Sequence, residues 1–326
     1  MNDFYFNPNY ARVYEGIEGV SETFEFECEF GRIKNTYIKR KIPISVDDKC
    51  YYDIITPYGY GGPIICHVTD ISKLMVCYKK AFTDYCISNN IVAEFIRFHL
   101  FDNIDVRENF YGEVVKASTN VVVNITPDYN AIWNNFDRKV RKNVNKAIKS
   151  DLSIIIENNI KHLDDFMRIY NSTMDRNHAT SYYYFHEDFF KNISILLPNN
   201  FVYFHVLKDN KIISTELVLF SVDYAYSFLG GTDTEYYEYR PNDFLKNEII
   251  KWCVRENKKK FILGGGYKLE DGIYRYKKCF TPDPDVDFYV GKCIYNNIIY
   301  DKLVDYRKNS DTNFDSHSNY FPLYRA

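Results

Sequence analysis

The sequence predicts an α/β (α+β) chain, of two domains or one elaborated domain, and three observations carry that reading. At 326 residues the chain exceeds what a single core usually holds. Strand-like runs are interleaved with segments of helical spacing. The second half orders them as strand, two helices, three antiparallel strands, helix, strand, short helix and further strands.

Taken in order, TFEFECEF, KCYYDII and PIICHV read as strands in the first third. Ile71, Leu74, Met75, Tyr78, Phe82, Tyr85 and Cys86 then recur at the spacing of one helix face. IVAEFIRF and STNVVVNI follow as strands. After Pro127 the pattern changes: residues 132–149 (IWNNFDRKVRKNVNKAIK) predict a basic helix, LSIIIE a strand, and HLDDFMRIYNSTM and HEDFFKNISILL two helices. FVYFHVL and KIISTELVLF form a hairpin around DN, a favoured turn dipeptide, and YAYSFL continues the meander. Residues 242–256 make a helix with Leu245, Ile249, Trp252 and Cys253 as its apolar stripe. KKFIL is a strand, and DFYVGKCIYNNIIY reads as a hairpin-like pair.

Composition excludes several classes. With a net charge of −3, no whole-protein field draws the chain to DNA or to a membrane surface. No run reaches the roughly 18 apolar residues a membrane span needs. The start, MNDFYFNPNYARVYEG, lacks the basic-then-apolar order of a signal peptide, so a cytoplasmic location is expected. Eight dispersed cysteines with no CxxC pair fit reduced thiols. Aromatic residues make up 18% of the chain, 31 Tyr and 25 Phe, which an AT-rich codon bias explains as well as a ligand cleft does.

Glycine is more informative. Eight of the fourteen fall in three clusters, Gly59 with Gly61 and Gly62, Gly230 with Gly231, and Gly264 to Gly266, each just past a strand. Glycine there permits positive φ or close backbone approach, so a site assembled from strand ends is expected. The first cluster sits in TPYGYGGP, residues 56–63. GGGYKL is no dinucleotide loop, because Leu269 occupies the last glycine position of GxGxxG. No P-loop, GxSxG elbow, HxxxH or HxE spacing occurs, so neither a bound cofactor nor a metal is expected.

TPYGYGGP, the basic FDRKVRKNVNKA, STMDR followed by YFHEDFF, YSFLGGTDTEYYEYRPNDFLKNEIIKW and FILGGGYKLEDGIYRYKKCF occur in an order that resembles the FemAB-like branch of the GNAT acyltransferase superfamily. The likeness runs from about residue 50 to 285. With no heptad run, it is to the short type without a coiled-coil arm. It implies two GNAT-like domains in tandem, each a mixed, mostly antiparallel sheet flanked by helices. The expected boundaries are 1–128 and 129–287, with residues 288–326 packing back on the first domain. The implied reaction is direct transfer of an acyl or aminoacyl group to an amine of a cell-envelope precursor, peptidoglycan or polysaccharide. The co-substrate is acyl-CoA, such as acetyl-CoA, or aminoacyl-tRNA, so that tRNA joins a small-molecule or envelope acceptor among the partners. The other reading is a non-catalytic ligand-binding protein that keeps the fold.

The resemblance also assigns residues. Lys277, after the aromatic Tyr276, matches a family lysine at the transfer centre, where a positive group opposes developing oxyanion charge. Asp271 and Glu270 precede it as candidate bases; pairing with nearby lysines competes. Arg176, in STMDR, matches an arginine that holds acceptor phosphate through a bidentate fork. Gly265, Tyr58, Tyr60 and Gly61 are expected to line an acceptor cleft. Arg138, Arg141 and Lys142 on the basic helix, with Arg240 before the next helix, are expected at donor phosphates, a solvated basic face being the alternative. The pyrophosphate loop of conventional CoA enzymes is absent, and Asp243 in the first helical turn would repel an anion.

Overall fold

Strand pairing in the computed structural model, which describes residues 3–266 and 271–326, gives each half of the chain its own hydrophobic packing. The chain divides into a first unit, residues 5–117 and 287–326, and a second, residues 3–4 and 118–286.

The first unit opens with helix α1 (Pro8–Arg12) and strands β1 (Val20–Cys28) and β2 (Gly31–Lys41). Strands β3 (Tyr52–Ile55) and β4 (Ile64–Val68) flank the TPYGYGGP loop. Helix α2 (Ile71–Ser88), strand β5 (Ile91–Arg97) and helix α3 (Ile104–Glu108) follow. β2 escaped the sequence reading because GRIKNTYIKRK looks charged, yet Ile33, Tyr37 and Ile38 are buried. Helix α2 begins where the Asp70 carboxylate accepts the Lys73 N–H at 3.1 Å, an N-cap. Its Leu74, Met75, Tyr78, Phe82 and Cys86 pack against Ile33, Ile54, Ile91 and Ile96.

Strand β6 (Glu113–Asn124) enters the second unit at Ser118. Then come α4 (Tyr129–Asn135), α5 (Arg138–Lys149), β7 (Ser153–Glu157), α6 (Leu163–Arg176) and α7 (Glu187–Leu196). The meander β8 (Phe201–Lys208), β9 (Lys211–Phe220) and β10 (Tyr224–Thr232) leads to α8 (Pro241–Arg255), β11 (Lys260–Gly264) and α9 (Gly272–Lys278). The expected single basic helix is thus two, broken at the extended Phe136, after which Asp137 caps α5 through the Lys139 N–H at 2.7 Å. Val140, Val144 and Ala147 of α5 and Leu245, Ile249 and Trp252 of α8 bury against Val202, Phe204, Val206 and Phe261.

The chain then returns to the first unit with β12 (Val286–Ile294) and α10 (Asn297–Ser310). Here the expected hairpin-like pair is corrected. Asn296 accepts the Ile299 N–H at 3.1 Å, and this cap turns NNIIY into a helix whose Ile299, Leu303 and Val304 are buried.

The first unit's sheet runs β1-β2-β3-β5-β12, with β4 also on β2; the second unit's runs β6-β11-β10-β9-β8-β7. Each is antiparallel except for one internal parallel pair, β3 with β5 and β10 with β11. The tandem, mixed and mostly antiparallel architecture is therefore as expected. The two parallel pairs behave differently beyond their strands. In the first unit Thr56 N–H bonds the Phe95 carbonyl at 3.1 Å and Gly61 N–H bonds that of Arg97 at 2.8 Å. A parallel bridge joins Gly61 to Phe98. In the second unit pairing stops at Tyr226 and Ile262, although β10 continues to Thr232.

Candidate functional site

The parting of β10 from β11 opens a cavity of about 430 Å³ in the second unit. Its walls come from β9 (Thr215, Glu216), the far half of β10, the end of α6 (Thr173, Arg176), α8 (Asn242, Lys246) and α9 (Tyr276, Lys277). A β-bulge between Ser227 and Leu229 shifts the β10 register at this point. Bulges beside clefts re-aim side chains, and this one presents Ser227, Phe228 and Leu229 together to the cavity. Gly231 lets α6 close the wall: a Cβ there would lie 2.3 Å from Thr173 Oγ1 and 2.8 Å from the Ile169 carbonyl.

Lys277 reaches the cavity from α9. Its Nζ donates to the Gly265 carbonyl at 2.7 Å, its one hydrogen bond among the described residues, so two N–H groups remain for a ligand. Burial, with the positive Lys246 as a second cause, holds its ammonium down at about 8. Glu216 and Asp271 oppose that shift without cancelling it. Lys246 bonds Glu216 Oε2 at 2.5 Å and Ser227 Oγ at 2.7 Å, all inside the sheet–helix core. Among the described residues, Glu216 Oε1 and the Tyr276 hydroxyl are buried with no hydrogen-bond partner. Burial pushes that phenol well above its ordinary range, so it stays a neutral donor.

Lys277, Tyr276, Gly265 and Arg176 thus gather at or beside one cavity. Arg176 is exposed, its guanidinium over the Tyr237 ring at 5.6 Å. Asp271 caps α9 through the Tyr274 N–H at 2.8 Å, a structural role, with its charge still acting on Lys277. Glu270 lies outside the described residues. Arg138 and Lys142 are exposed on α5, while Arg141 donates to the Asn134 carbonyl at 2.6 Å. Arg240 is an exposed left-handed residue at the start of α8. None of these four is among the cavity's lining residues. Burial raises the Asp243 carboxyl, which weakens the repulsion expected of it at that helix start.

Tyr58, Tyr60 and Gly61 belong to the first unit. The Tyr58 carbonyl accepts the Tyr10 hydroxyl at 2.5 Å. Tyr60 is buried, edge-on to Tyr5, His99 and Phe288 at 5.2, 5.8 and 5.5 Å. The neighbouring Gly59 and Gly62 have φ of +94° and +90°, and a Cβ on Gly59 would strike the Tyr5 ring at 2.6 Å. The loop's glycine is explained by backbone shape and aromatic packing.

Sequence reasoning missed Glu216 and Lys246. The signal was there: a carboxylate inside the apolar strand IISTELVLF, and a lysine one residue from a buried stripe. Only the fold pairs two residues 30 apart.

Residues 134–278 match the family model of the acetyltransferase (GNAT) domain. That match spans most of the second unit. Across both units the fold is similar to FemX, at 14% identity and a TM-score of 0.67, over 90% of this chain and 92% of that one. It is also similar to the C-terminal domain of a putative lysylphosphatidylglycerol synthetase from Agrobacterium fabrum (12% identity, TM-score 0.55, 88% and 86% covered). A tandem GNAT protein from the clavulanic acid biosynthesis pathway superposes at 0.52 with 5% identity, over 89% and 88%. No curated protein matches by sequence. The expected likeness to the FemAB-like branch of the GNAT superfamily is borne out, and at these identities it is a likeness of fold. Among the described residues no helix is long and apolar enough to cross a membrane.

Proposed function

We propose that the second unit transfers an acyl or aminoacyl group directly to an amine, with Lys277 as the cation at the transfer centre. The observation that carries this is a half-buried ammonium at the mouth of parted parallel strands, with two N–H groups unused among the described residues. Attack of a neutral amine on a thioester or ester carbonyl builds negative charge on the carbonyl oxygen. A positioned donor in a poorly hydrated site opposes that charge, and removing one such donor typically costs about 10²–10³ in kcat. The attacking nitrogen must then release a proton. Collapse of the intermediate breaks the bond to sulfur or ribose oxygen, and that leaving group takes up the proton. Arg176 at the cavity rim suits a phosphate of either substrate. The exposed Arg138, Lys142 and Arg240, with Arg141, suit donor phosphates lying along the outer face.

The similarity to FemX supports an aminoacyl group, tRNA as donor and a cytoplasmic cell-envelope precursor as acceptor; the GNAT domain equally supports acetyl-CoA. Thermal-shift titration with acetyl-CoA, CoA, aminoacyl-tRNA and UDP-linked muropeptides separates them. Stabilisation by CoA species alone removes the aminoacyl form. Stabilisation by neither donor class favours a ligand-binding protein without catalysis. With the responding donor in hand, Lys277→Met should lower kcat/KM at least a hundredfold; unchanged turnover sinks the assignment.

A further inference from the structure

Behind the β9 wall of the cavity, Glu157, His162 and His205 converge, with one potential ligand atom from each lying within 4.8 Å of the others. They come from three elements: the end of β7, the residue before α6, and the middle of β8. His205 is fully buried, and its Nδ1 is fixed by Thr215 Oγ1 at 2.8 Å. Its Nε2 lies 3.4 Å from Glu157 Oε1 but has no well-formed hydrogen bond among the described residues. Glu157 Oε2 meets His162 Nδ1 at 2.9 Å, and Oε1 accepts the His162 N–H at 3.2 Å.

Protein atoms satisfy His205 poorly in either tautomer: with Nε2 protonated, Glu157 Oε1 is 3.4 Å away and outside good hydrogen-bond geometry; with Nε2 bare, a lone pair faces an anion. Buried polar atoms left without partners are uncommon and call for an explanation. A divalent cation between the three groups removes the conflict. Zinc bonds nitrogen and oxygen at about 2.0–2.2 Å, so ligand atoms on its tetrahedron sit about 3.3–3.5 Å apart, and the Nε2–Oε1 separation matches.

We infer that Glu157, His162 and His205 form a site for one zinc-class divalent cation, which clamps the start of α6 to β7 and β8. The Thr215 hydroxyl is the outer partner that orients a metal-binding imidazole, as such ligands usually have. Two imidazoles and a carboxylate carry a single negative charge, leaving the bound cation with net +1. The positive end of α6 opposes such a charge, and Asp164 and Asp165 in its first turn offset that. His162 is partly exposed, which leaves room on its side for water as fourth ligand. The consequence reaches the cavity, because Thr215 lines it directly and α6 brings Thr173 and Arg176 to its wall. The spacing, five residues and then forty-three, matches no sequence motif, and only the fold assembles it.

The test uses the full chain, stripped with chelator and titrated with Zn²⁺ against a chromophoric competitor, then with Co²⁺ for its visible spectrum. One Zn²⁺ per chain, tetrahedral Co²⁺ bands and a rise in melting temperature on adding Zn²⁺ are expected. His162→Gln, a partly exposed change that spares the core, and His205→Gln should each weaken binding at least tenfold and remove the rise. Thr215→Val should weaken it about tenfold. No stoichiometric binding by the wild-type chain overturns the proposal. So does equal binding by the His162→Gln variant, which would assign the metal to cysteines instead.

Discussion

Replacing Lys277 by methionine keeps the length of the side chain and removes its charge, which separates what the ammonium costs the fold from what it does in the cavity. Burial and Lys246 hold the group at about 8 against an ordinary 10.5. At about 1.4 kcal/mol per pH unit, that gap corresponds to about 3 kcal/mol of destabilisation. Loss of the bond to the Gly265 carbonyl returns about 1 kcal/mol, so the variant should be more stable by about 2 kcal/mol at pH 7. The sign follows from the folded value lying below the unfolded one. The penalty is present in full below pH about 8, where both states are protonated, and is lost as pH rises toward 10.5. Urea unfolding of both proteins at pH 7, 8.5 and 10.5 measures it: the advantage should shrink across that window and reverse at its top, where only the lost hydrogen bond remains. A variant less stable at pH 7, or an advantage that does not change with pH, refutes the reasoning. The same substitution should abolish most turnover, the signature of a residue kept for chemistry at a cost in stability.

Lys246→Met leaves Glu216 buried without its cation and should destabilise by about 3–5 kcal/mol, read by urea denaturation; adding Glu216→Gln should recover a large part. Gly231→Ala puts a methyl against Thr173 Oγ1 and the Ile169 carbonyl, so α6 must move. A loss of about 1–3 kcal/mol is expected, and Thr173→Ser, which keeps the hydroxyl, should not rescue it. Asp271→Asn keeps a cap and removes the charge, so the melting temperature should barely move. If turnover also stays within a few-fold, Asp271 is a cap and not a base.

Much of this fold was legible because its signals are local. The α2 stripe of Leu74, Met75, Tyr78, Phe82 and Cys86 is buried as its spacing predicts. Asp209 and Asn210 both take the positive φ that a DN turn allows. The failures share one cause, a local pattern overruled by its setting. β2 carries charges on a strand whose Ile33 and Ile38 are wholly buried, and NNIIY has strand composition with a helix cap in front of it. Lys277 and Arg176, expected through motif resemblance, line the same cavity. Glu216 with Lys246, and Glu157 with His162 and His205, depend on strands folding next to one another, which single-sequence spacing does not encode. The aromatic surplus fills cores first: Tyr10, Tyr37, Tyr78, Tyr170 and Tyr203 are almost completely buried.

The loop TPYGYGGP extends the lacing of β3 to β5 past the end of the strand, through Thr56 and Gly61. The corresponding pair in the second unit separates after Tyr226. One connectivity occurs twice, once zipped and once open. A gene built from two similar halves would ordinarily be expected to saturate with two equivalents of a cleft-binding molecule. Here the zipped half has no gap between its parallel strands to offer, so equilibrium titration with the responding donor should count one equivalent per polypeptide.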